Sequence, residues 1–500
     1  MLLKKIKNSW NKKFSKFKKI FILFLAYFIV TYLLIIFGKR IFWPDEGVYI
    51  ALGKYIFSKG KSGLFEPFRP FLLPVILGLF WKIKLNPLIF GYFFEFVMCL
   101  LSVFLTWGVV KKIWGEKYAL IASLFIITNL EFIINGTRIL ADVPALTFAI
   151  ISIYFFINKK YFFSGLFSGI SFMTKFTYGI LPIVLVVVYL LEKIFYSNFT
   201  KIKNKIFVLK KNLIEILKFV FGLTIITLPY FIYSKIAYGS FTWTLKSASN
   251  VVKLYAWFVE YLDFSNYLKK IFINMPLIIF AVFGVFYFLK LMLYKKRLMK
   301  NLEFNIVLIS IISFLFYILY FGIFARTELR YSLHILFFTA ILSVFGISFF
   351  EKNLKKKIHK VTLNVFIGTL FFIPTIMQIN YVVGLYRGEY YSKSERELIN
   401  FLKYNIKDDD FILTTTTIPA IYFDNKMLGF ASYDYALGVL EQNKFKKGLI
   451  IVNNCEYACP VNDLECESKK TEFFRALEKE KLIFETKIND QCSYKVYDNR

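Results

Sequence analysis

Long apolar runs alternate along the chain with short, strongly basic connections. A helix needs about 20 mostly apolar residues to cross a bilayer, and runs of this kind recur as far as residue 384. The first run has no small-residue cleavage site and is followed by further runs, so we interpret it as a membrane helix rather than a signal peptide. We predict about eleven spans, near residues 20–37, 87–110, 118–134, 143–158, 162–176, 179–192, 213–233, 272–290, 304–324, 331–350 and 361–384.

One apolar segment is too short to be a span. Residues 70–83 are apolar, but Pro70 and Pro74 open the segment. Runs of about 10–14 residues are more often interfacial or re-entrant than spanning. Counting this segment as a span would also invert every later connection. We therefore predict that it lies in the outer interface of the membrane.

The basic runs give an orientation. Lys and Arg collect in cytoplasmic loops of membrane proteins, and the runs here fall on alternate connections, at residues 111–112, 159–160, 193–211, 290–300 and 352–360. We therefore expect a multi-pass protein of the plasma membrane with a cytoplasmic N-terminus. Its other connections, and everything after residue 385, should lie outside the cytoplasm.

Composition and charge agree with this interpretation. Apolar residues make up 57% of the 500 residues, against roughly 45–50% in soluble domains. The net charge of +31 is uneven: residues 1–390 hold 48 Lys/Arg and 15 Asp/Glu (+33), whereas residues 391–500 hold 16 and 18 (−2). The excess therefore belongs to the membrane loops. A soluble enzyme, a disordered scaffold and a nucleic-acid partner are poor interpretations.

The C-terminal part differs from the rest. Residues 387–500 alternate predicted helices with predicted strands, which indicates a small extracytoplasmic α/β domain after a membrane domain of residues 1–386. We place the helices at 394–404 and 468–480, and the strands at 411–417, 448–454, 482–488 and 493–498.

Four cysteines of this domain are expected to form disulfides, because an oxidising compartment favours them. Zinc binding is the less favoured alternative, because the cysteine spacing is poor for zinc and no His is near. Sequence leaves three pairings open for Cys455, Cys459, Cys466 and Cys492.

Carboxylates on the predicted outer face are few. Asp45 and Glu46 follow the first span and begin an amphipathic helix, and Asp142 precedes another apolar run. Acids at helix starts commonly complement the helix dipole, so a purely structural role is one interpretation. An ionisable group at the membrane surface between spans is also a functional-site candidate.

Cationic and polar side chains lie on the same predicted face. Arg is well suited to forked contacts with phosphate, although interfacial anchoring is the alternative. These candidates are Arg69, Arg138, Lys175, Arg326, Glu328, Arg330 and Tyr331. His334 we interpret as structural. Glu95, inside the second span, is either a neutral packing residue or functional.

These motifs resemble one family in order, spacing and sidedness. Asp45-Glu46 after the first span, Arg69-Pro70, Arg138 with Asp142-Val143-Pro144, Thr174-Lys175-Phe176-Thr177 and Arg330-Tyr331 are similar to motifs of the GT-C glycosyltransferases. The similar branch contains the dolichyl-phosphate-mannose protein mannosyltransferases and the lipid A aminoarabinose transferases. The resemblance covers roughly residues 20–350 and implies a GT-C membrane fold.

The resemblance also implies an activity. A mannose-like monosaccharide would move from a polyprenyl- or dolichyl-phosphate carrier to a hydroxyl of a protein, lipid or glycan, with inversion. Asp45 would be the general base, Glu46 and Asp142 would shape the site, and Lys175 and Arg330 would contact phosphate. The resemblance implies no certain cofactor and leaves a divalent cation open, either Mg²⁺ or Mn²⁺, with Glu46 and Asp142 as its candidate ligands.

Two other functions remain open. A transporter or flippase of lipid-linked sugars would more often show duplicated halves, and no internal repeat is visible. An assembly protein without catalysis would use the motifs only as helix caps. Transfer of a whole oligosaccharide is less well supported, because the C-terminal part lacks a Trp-Trp-Asp sequence.

Overall fold

The computed structural model shows a helical bundle followed by a small α/β domain. The structure describes residues 16–38, 42–196, 203–256, 264–294, 301–324, 328–354, 357–387, 393–429, 433–441, 448–454, 459, 463–488 and 492–500. Arg326 and Cys455, both predicted above to matter, lie outside these ranges.

The first half of the bundle carries most of the predicted outer motifs. Apolar stretches form the long helices, and proline begins two of them at a position where its missing N–H costs nothing. The helices are α1 (Lys16–Phe37), α2 (Pro44–Ser58), α3 (Leu72–Lys82), α4 (Pro87–Trp114), α5 (Glu116–Ile127), α6 (Leu130–Gly136), α7 (Asp142–Ile157) and α8 (Tyr161–Thr174).

The second half completes the bundle. A 3₁₀ turn at Phe176–Gly179 precedes α9, and a π-helical turn at Tyr320–Phe324 and a 3₁₀ turn at Leu329–Ser332 lie between α14 and α15. The helices are α9 (Ile180–Tyr196), α10 (Lys203–Tyr238), α11 (Trp243–Ala256), α12 (Phe264–Asn274), α13 (Ile278–Tyr294), α14 (Asn301–Leu319), α15 (Leu333–Asn353) and α16 (Lys357–Arg387).

The prediction of a polytopic helical membrane protein is confirmed, but the count of eleven spans is not. Within the described residues, seven helices are long and apolar enough to cross a membrane, or up to nine if two bent pairs each count once. The remaining two predicted spans correspond to α7, with 16 residues, and α8, with 14 residues. At 1.5 Å per residue they are only about 24 and 21 Å long. The segment at 70–83 forms α3, an 11-residue apolar helix.

Small residues allow two helices of the bundle to pack closely. A Cβ at Gly165 in α8 would lie 1.9 Å from the carbonyl oxygen of Phe219 in α10. A Cβ at Gly222 in α10 would lie 2.2 Å from the carbonyl oxygen of Phe162. Such backbone approach is typical of helix pairs in membranes. It fixes α8, whose C-terminus precedes Lys175.

At one end of the bundle, charged side chains link the ends of several helices. The predicted orientation places all of these ends on the cytoplasmic side. Lys111 Nζ lies 2.9 Å from a Glu116 carboxylate oxygen, and Trp114 Nε1 donates to Glu303 Oε1 at 2.8 Å. Lys117 pairs with Glu351. Lys111 and Lys112, near the C-terminal end of α4, thus lie at the end of the bundle opposite the predicted outer motifs. That this end faces the cytoplasm stays a prediction from the positive-inside rule.

The C-terminal residues form a mixed five-stranded sheet with helices α17 (Lys393–Asn405), α18 (Ile418–Tyr422), α19 (Tyr433–Glu441) and α20 (Leu464–Leu477). The strand order is β2-β1-β3-β5-β4. Strands β1, β2 and β3 are parallel, and β5 is antiparallel to both β3 and β4. The strands are β1 (Phe411–Thr414), β2 (Met427–Gly429), β3 (Gly448–Asn453), β4 (Lys481–Lys487) and β5 (Ser493–Asp498).

The predicted strands and helices of this domain are confirmed, whereas β2, α18 and α19 were not predicted. Strand β3 is the central strand and is buried along its whole length, because its side chains pack alternately into two hydrophobic clusters. A disulfide joins Cys459 to Cys466, and Cys492 is also disulfide-bonded.

The domain boundary at residue 387 stays a prediction. The sheet packs against the first part of the chain, because it shares a hydrophobic cluster with Ala51 and Leu64.

Candidate active site

Asp45 lies in the first turn of α2 and is held by two arginines. Its Oδ1 accepts a hydrogen bond from Arg69 Nη2 at 2.8 Å, and its Oδ2 accepts one from Arg330 Nη1 at 3.0 Å. Arg69 comes from the connection between α2 and α3, and Arg330 from the 3₁₀ turn before α15. Three segments remote in sequence therefore meet at one carboxylate.

Each arginine also pairs with a second acid. Arg69 Nε contacts the Glu66 carboxylate, and Arg330 Nε lies 2.6 Å from Glu328 Oε2. The result is a row of alternating charges with Asp45 at its centre. All five side chains keep about a fifth of their surface exposed, so the row remains open to a ligand.

The two guanidinium groups determine the protonation of Asp45. Burial by itself would raise the pKa of this carboxyl group, but Arg69 and Arg330 outweigh it and hold the pKa well below its usual range. Burial would likewise lower the pKa of Arg69, and the carboxylates of Asp45 and Glu66 raise it instead. Asp45 is therefore ionised.

A second ion pair lies beside this row. Asp142, the first residue of α7, accepts a hydrogen bond from Lys175 Nζ. The Asp142 side chain is 4% exposed and the Lys175 side chain 17%. The ring of Tyr331 lies next to both cations, 5.3 Å from Lys175 Nζ and 5.2 Å from the guanidinium carbon of Arg330. Tyr331 thus joins the two pairs by cation–π contacts.

Glu46 is directed away from this group. The residue is fully buried. Its Oε2 accepts a hydrogen bond from the backbone N–H of Trp43 at 2.9 Å, and its Oε1 accepts one from the N–H of Ile139 at 3.0 Å. Asp45 and Glu46 are adjacent on a helix and so face about 100° apart. Glu46 fastens the connection before α7 to the start of α2, which is a structural role.

Arg138 interacts electrostatically with the Glu131 carboxylate, but the two groups are not within ion-pair distance. Among the described residues it forms no ion pair, and its guanidinium carbon lies 4.6 Å from the ring centre of Trp43. An aromatic face is a weak partner compared with a carboxylate. Arg138 is therefore the cation of this group that is best able to accept an anionic ligand.

Three contributors to the site were not predicted from the sequence. Tyr49 lies one turn after Asp45 and places its ring 5.2 Å from the guanidinium carbon of Arg69. Trp43 supports Arg138, as described. Glu131 in α6 accepts a hydrogen bond from Asn135 at 3.0 Å and interacts electrostatically with Arg138, two residues after this helix. The i, i+4 spacing of Asp45 and Tyr49 was a usable signal.

His334 has contacts consistent with the structural role expected from the sequence. It is fully buried. Its Nε2 lies 2.7 Å from Thr177 Oγ1, its Nδ1 lies 3.1 Å from the carbonyl oxygen of Tyr331, and its ring stacks on Tyr178 at 4.9 Å. It thereby connects the segment after Lys175 to Tyr331.

The carboxylates of the site do not fit a metal ion. Glu46 accepts from two backbone amides, Asp142 pairs with Lys175, and Asp45 pairs with two arginines. Cations or backbone N–H groups thus take the positions that a metal would need, and in the described part of the chain no three His, Cys, Asp or Glu side chains are grouped to hold one.

Part of the chain matches a known family model in sequence. Residues 68–221 match the family model of dolichyl-phosphate-mannose-protein mannosyltransferase. No curated protein matches the chain in sequence. The matched segment contains Arg69, Arg138, Asp142 and Lys175, whereas Asp45 and Arg330 lie outside it.

Solved structures resemble nearly the whole chain. ArnT from Cupriavidus metallidurans bound to undecaprenyl phosphate is 12% identical, with a TM-score of 0.62 over 96% of this chain and 98% of that one. The apo oligosaccharyltransferase of Archaeoglobus fulgidus is 11% identical, with a TM-score of 0.57 over 95% of this chain and 74% of that one. At such identities the likeness concerns the fold. The chain therefore has the fold of the GT-C glycosyltransferases and resembles their protein mannosyltransferase and ArnT branch.

Proposed function

We propose that this protein is a membrane glycosyltransferase that uses a sugar linked to a polyprenyl or dolichyl phosphate. The observation that carries the proposal is the Asp45 carboxylate, paired with Arg69 at 2.8 Å and Arg330 at 3.0 Å at one end of the bundle. In an inverting transfer, a base for the acceptor and cations for the departing phosphate must share one site, on opposite sides of the anomeric carbon. The ArnT neighbour holds undecaprenyl phosphate, which supports a carrier of this class.

The reaction follows from these groups. The hydroxyl oxygen of the acceptor forms a bond to the anomeric carbon of the donor sugar while its proton passes to an Asp45 carboxylate oxygen. The bond between the anomeric carbon and the phosphate oxygen breaks, and the lipid phosphate leaves with the bonding electrons. Attack from the side opposite the leaving group inverts the anomeric centre. Arg69, Arg138, Lys175 and Arg330 supply positive charge for the phosphate.

Donor binding would increase the basicity of Asp45. Guanidinium groups form forked contacts with phosphate as well as with carboxylate. When the donor phosphate engages Arg69 or Arg330, Asp45 loses part of the interaction that holds its pKa down. The carboxylate then becomes a better proton acceptor in the complex that contains the donor. A mannose-like sugar and an acceptor hydroxyl on a protein, lipid or glycan are the substrates we infer.

The test is sugar transfer by the purified protein in lipid vesicles, with radiolabelled polyprenyl-phosphate monosaccharides as donors. We expect Asp45→Asn to fold normally and to lose at least about 100-fold in kcat, the scale of general-base catalysis. Asp409→Asn, at an exposed aspartate of the C-terminal domain, is the matched control and should transfer at the wild-type rate. Normal transfer by Asp45→Asn would refute the proposal. Movement of labelled lipid across the bilayer without transfer would favour a flippase.

A further inference from the structure

The C-terminal domain contacts the two residues on either side of the Asp45-Glu46 pair. Thr417 Oγ1 donates a hydrogen bond of 2.6 Å to the carbonyl oxygen of Pro44. On the other side, a Cβ at Gly47 would lie 2.4 Å from the carbonyl oxygen of Thr417. A single threonine therefore holds the helical turn that carries the candidate base.

Thr417 belongs to a rigid segment. It ends the run Thr414–Thr417, which leads from the last residue of β1 to the start of α18. Thr414 Oγ1 accepts from the N–H of Thr416 at 3.0 Å and donates to its carbonyl oxygen at 2.8 Å. Thr415 Oγ1 accepts from the N–H of Asn453, in β3, at 2.8 Å. These bonds attach the run to the sheet, so Thr417 is a fixed support.

The same domain holds the segment that leads to Arg69. The N–H of Gly63 donates to the carbonyl oxygen of Asn425 at 2.9 Å, and the N–H of Met427 donates to the carbonyl oxygen of Gly63 at 2.8 Å. The connection after α2 thus pairs with β2 at the edge of the sheet. The C-terminal domain therefore contacts the segments that carry both partners of the Asp45–Arg69 ion pair.

A buried lysine anchors the domain to α2. Lys54 is 2% exposed. Its Nζ donates to the carbonyl oxygens of Ala420 and Phe423, at 2.9 Å each, and lies 2.8 Å from Asp424 Oδ1. A lysine buried at this depth needs its donors satisfied, so the docking arrangement is specific. The C-terminal domain therefore docks on α2 in one defined position, and this position fixes where Thr417 lies relative to Asp45.

We propose that Thr417 is a positioning residue for the reaction and that the C-terminal domain sets the orientation of Asp45. The inference rests on the function proposed above. The Thr417 hydroxyl group fixes Pro44, and the Thr417 carbonyl limits the approach of Gly47, so the first turn of α2 cannot rotate about its axis. Asp45 then stays directed toward Arg69 and Arg330 and toward the acceptor. Small displacements of a reacting group have large effects on rate.

The test compares four full-length variants in lipid vesicles. Thr417→Val keeps the shape but removes the hydroxyl group, and we expect kcat to fall about tenfold or more with the donor KM unchanged. Thr417→Ser keeps the hydroxyl group and should retain most of kcat. Thr471→Val, at an exposed threonine of α20, should equal the wild type. Asp45→Asn reports on the proposed function itself. Rates are compared well below the melting temperature of the least stable variant.

Each outcome decides between the two proposals. Wild-type kcat in Thr417→Val, or a rise in KM alone, would overturn the positioning role while an inactive Asp45→Asn still supports the glycosyltransferase. Equal loss in Thr417→Val and Thr417→Ser would also overturn it, because the hydroxyl group would then be irrelevant. Active Asp45→Asn would overturn both proposals.

Discussion

Arg330 lies 285 residues after Asp45 in the chain, yet its Nη1 donates a hydrogen bond of 3.0 Å to Asp45 Oδ2. The contact brings the turn before α15 to the start of α2. With Arg69 on the other oxygen, it places the candidate base between two cations. Charge compensation and proposed catalysis therefore use the same side chains.

The pH dependence of transfer should report on this arrangement. The active form requires ionised Asp45, and the guanidinium groups lower its pKa. Arg69→Gln removes one of them, so the pKa of Asp45 should rise and the acidic limb of kcat/KM should move to higher pH. An opposite charge at this distance shifts a pKa by about 1–3 units, and we expect a shift of at least about one unit.

Arg475→Gln, at an exposed arginine of α20, is the control for this profile and should leave the acidic limb in place. An unchanged limb in Arg69→Gln would contradict the assignment of Asp45 as the titrating base. A limb that moves to lower pH would contradict the sign of the electrostatic effect.

The ion pair of Asp142 and Lys175 should matter for stability as well as for activity. Lys175→Met leaves the Asp142 carboxylate, 4% exposed, without its ammonium partner. Breaking a buried pair in this way costs about 3–5 kcal/mol. The double variant Asp142→Asn, Lys175→Met should recover most of that loss while transfer stays impaired. Thermal unfolding in detergent and the transfer assay measure the two quantities separately.

An exposed ion pair provides the comparison. Lys469 and Glu472 lie 3.2 Å apart on the surface of α20, and such pairs contribute about 0–1 kcal/mol. Lys469→Met should therefore leave the melting temperature nearly unchanged. If Lys175→Met were as stable as Lys469→Met, the pair at Asp142 would not be the buried interaction described.

Gly47 should not tolerate a side chain. A Cβ there would meet the carbonyl oxygen of Thr417 at 2.4 Å, and backbone atoms cannot move aside as a flexible side chain can. Gly47→Ala should destabilise the protein by about 1–3 kcal/mol and also lower transfer. Gly438→Ala in α19, where nothing lies within 4 Å of the added Cβ, should be neutral or slightly stabilising. A stable and fully active Gly47→Ala would show that α2 and the C-terminal domain separate easily.

Much of the architecture could be predicted from local pattern. Hydropathy located the long apolar helices of the bundle, and alternation of strands and helices located the C-terminal sheet. Helix α11 lies between two predicted spans and was not predicted. The two predicted spans that stay unconfirmed, α7 and α8, are apolar but short. Strand β2 was missed because it has only three residues, too few for a periodic signal.

The candidate site was predicted in composition but not in arrangement. Asp45, Asp142, Lys175 and Arg330 come together as expected from the motifs. The sequence could not distinguish Asp45 from its neighbour Glu46, because their difference is one of direction: one faces two arginines and the other two backbone amides. Nor could it associate Thr417 with Pro44, which lies 373 residues away.

The sequence by itself determined which segments enter the membrane and which charged residues gather at one end, because hydrophobic transfer and charge placement act on each segment separately. Only the tertiary structure decided which charges pair, which carboxylate stays accessible and whether burial or the guanidinium groups control the pKa of Asp45. Those outcomes depend on distances of a few ångströms between remote segments, and Coulomb energies change steeply over that range.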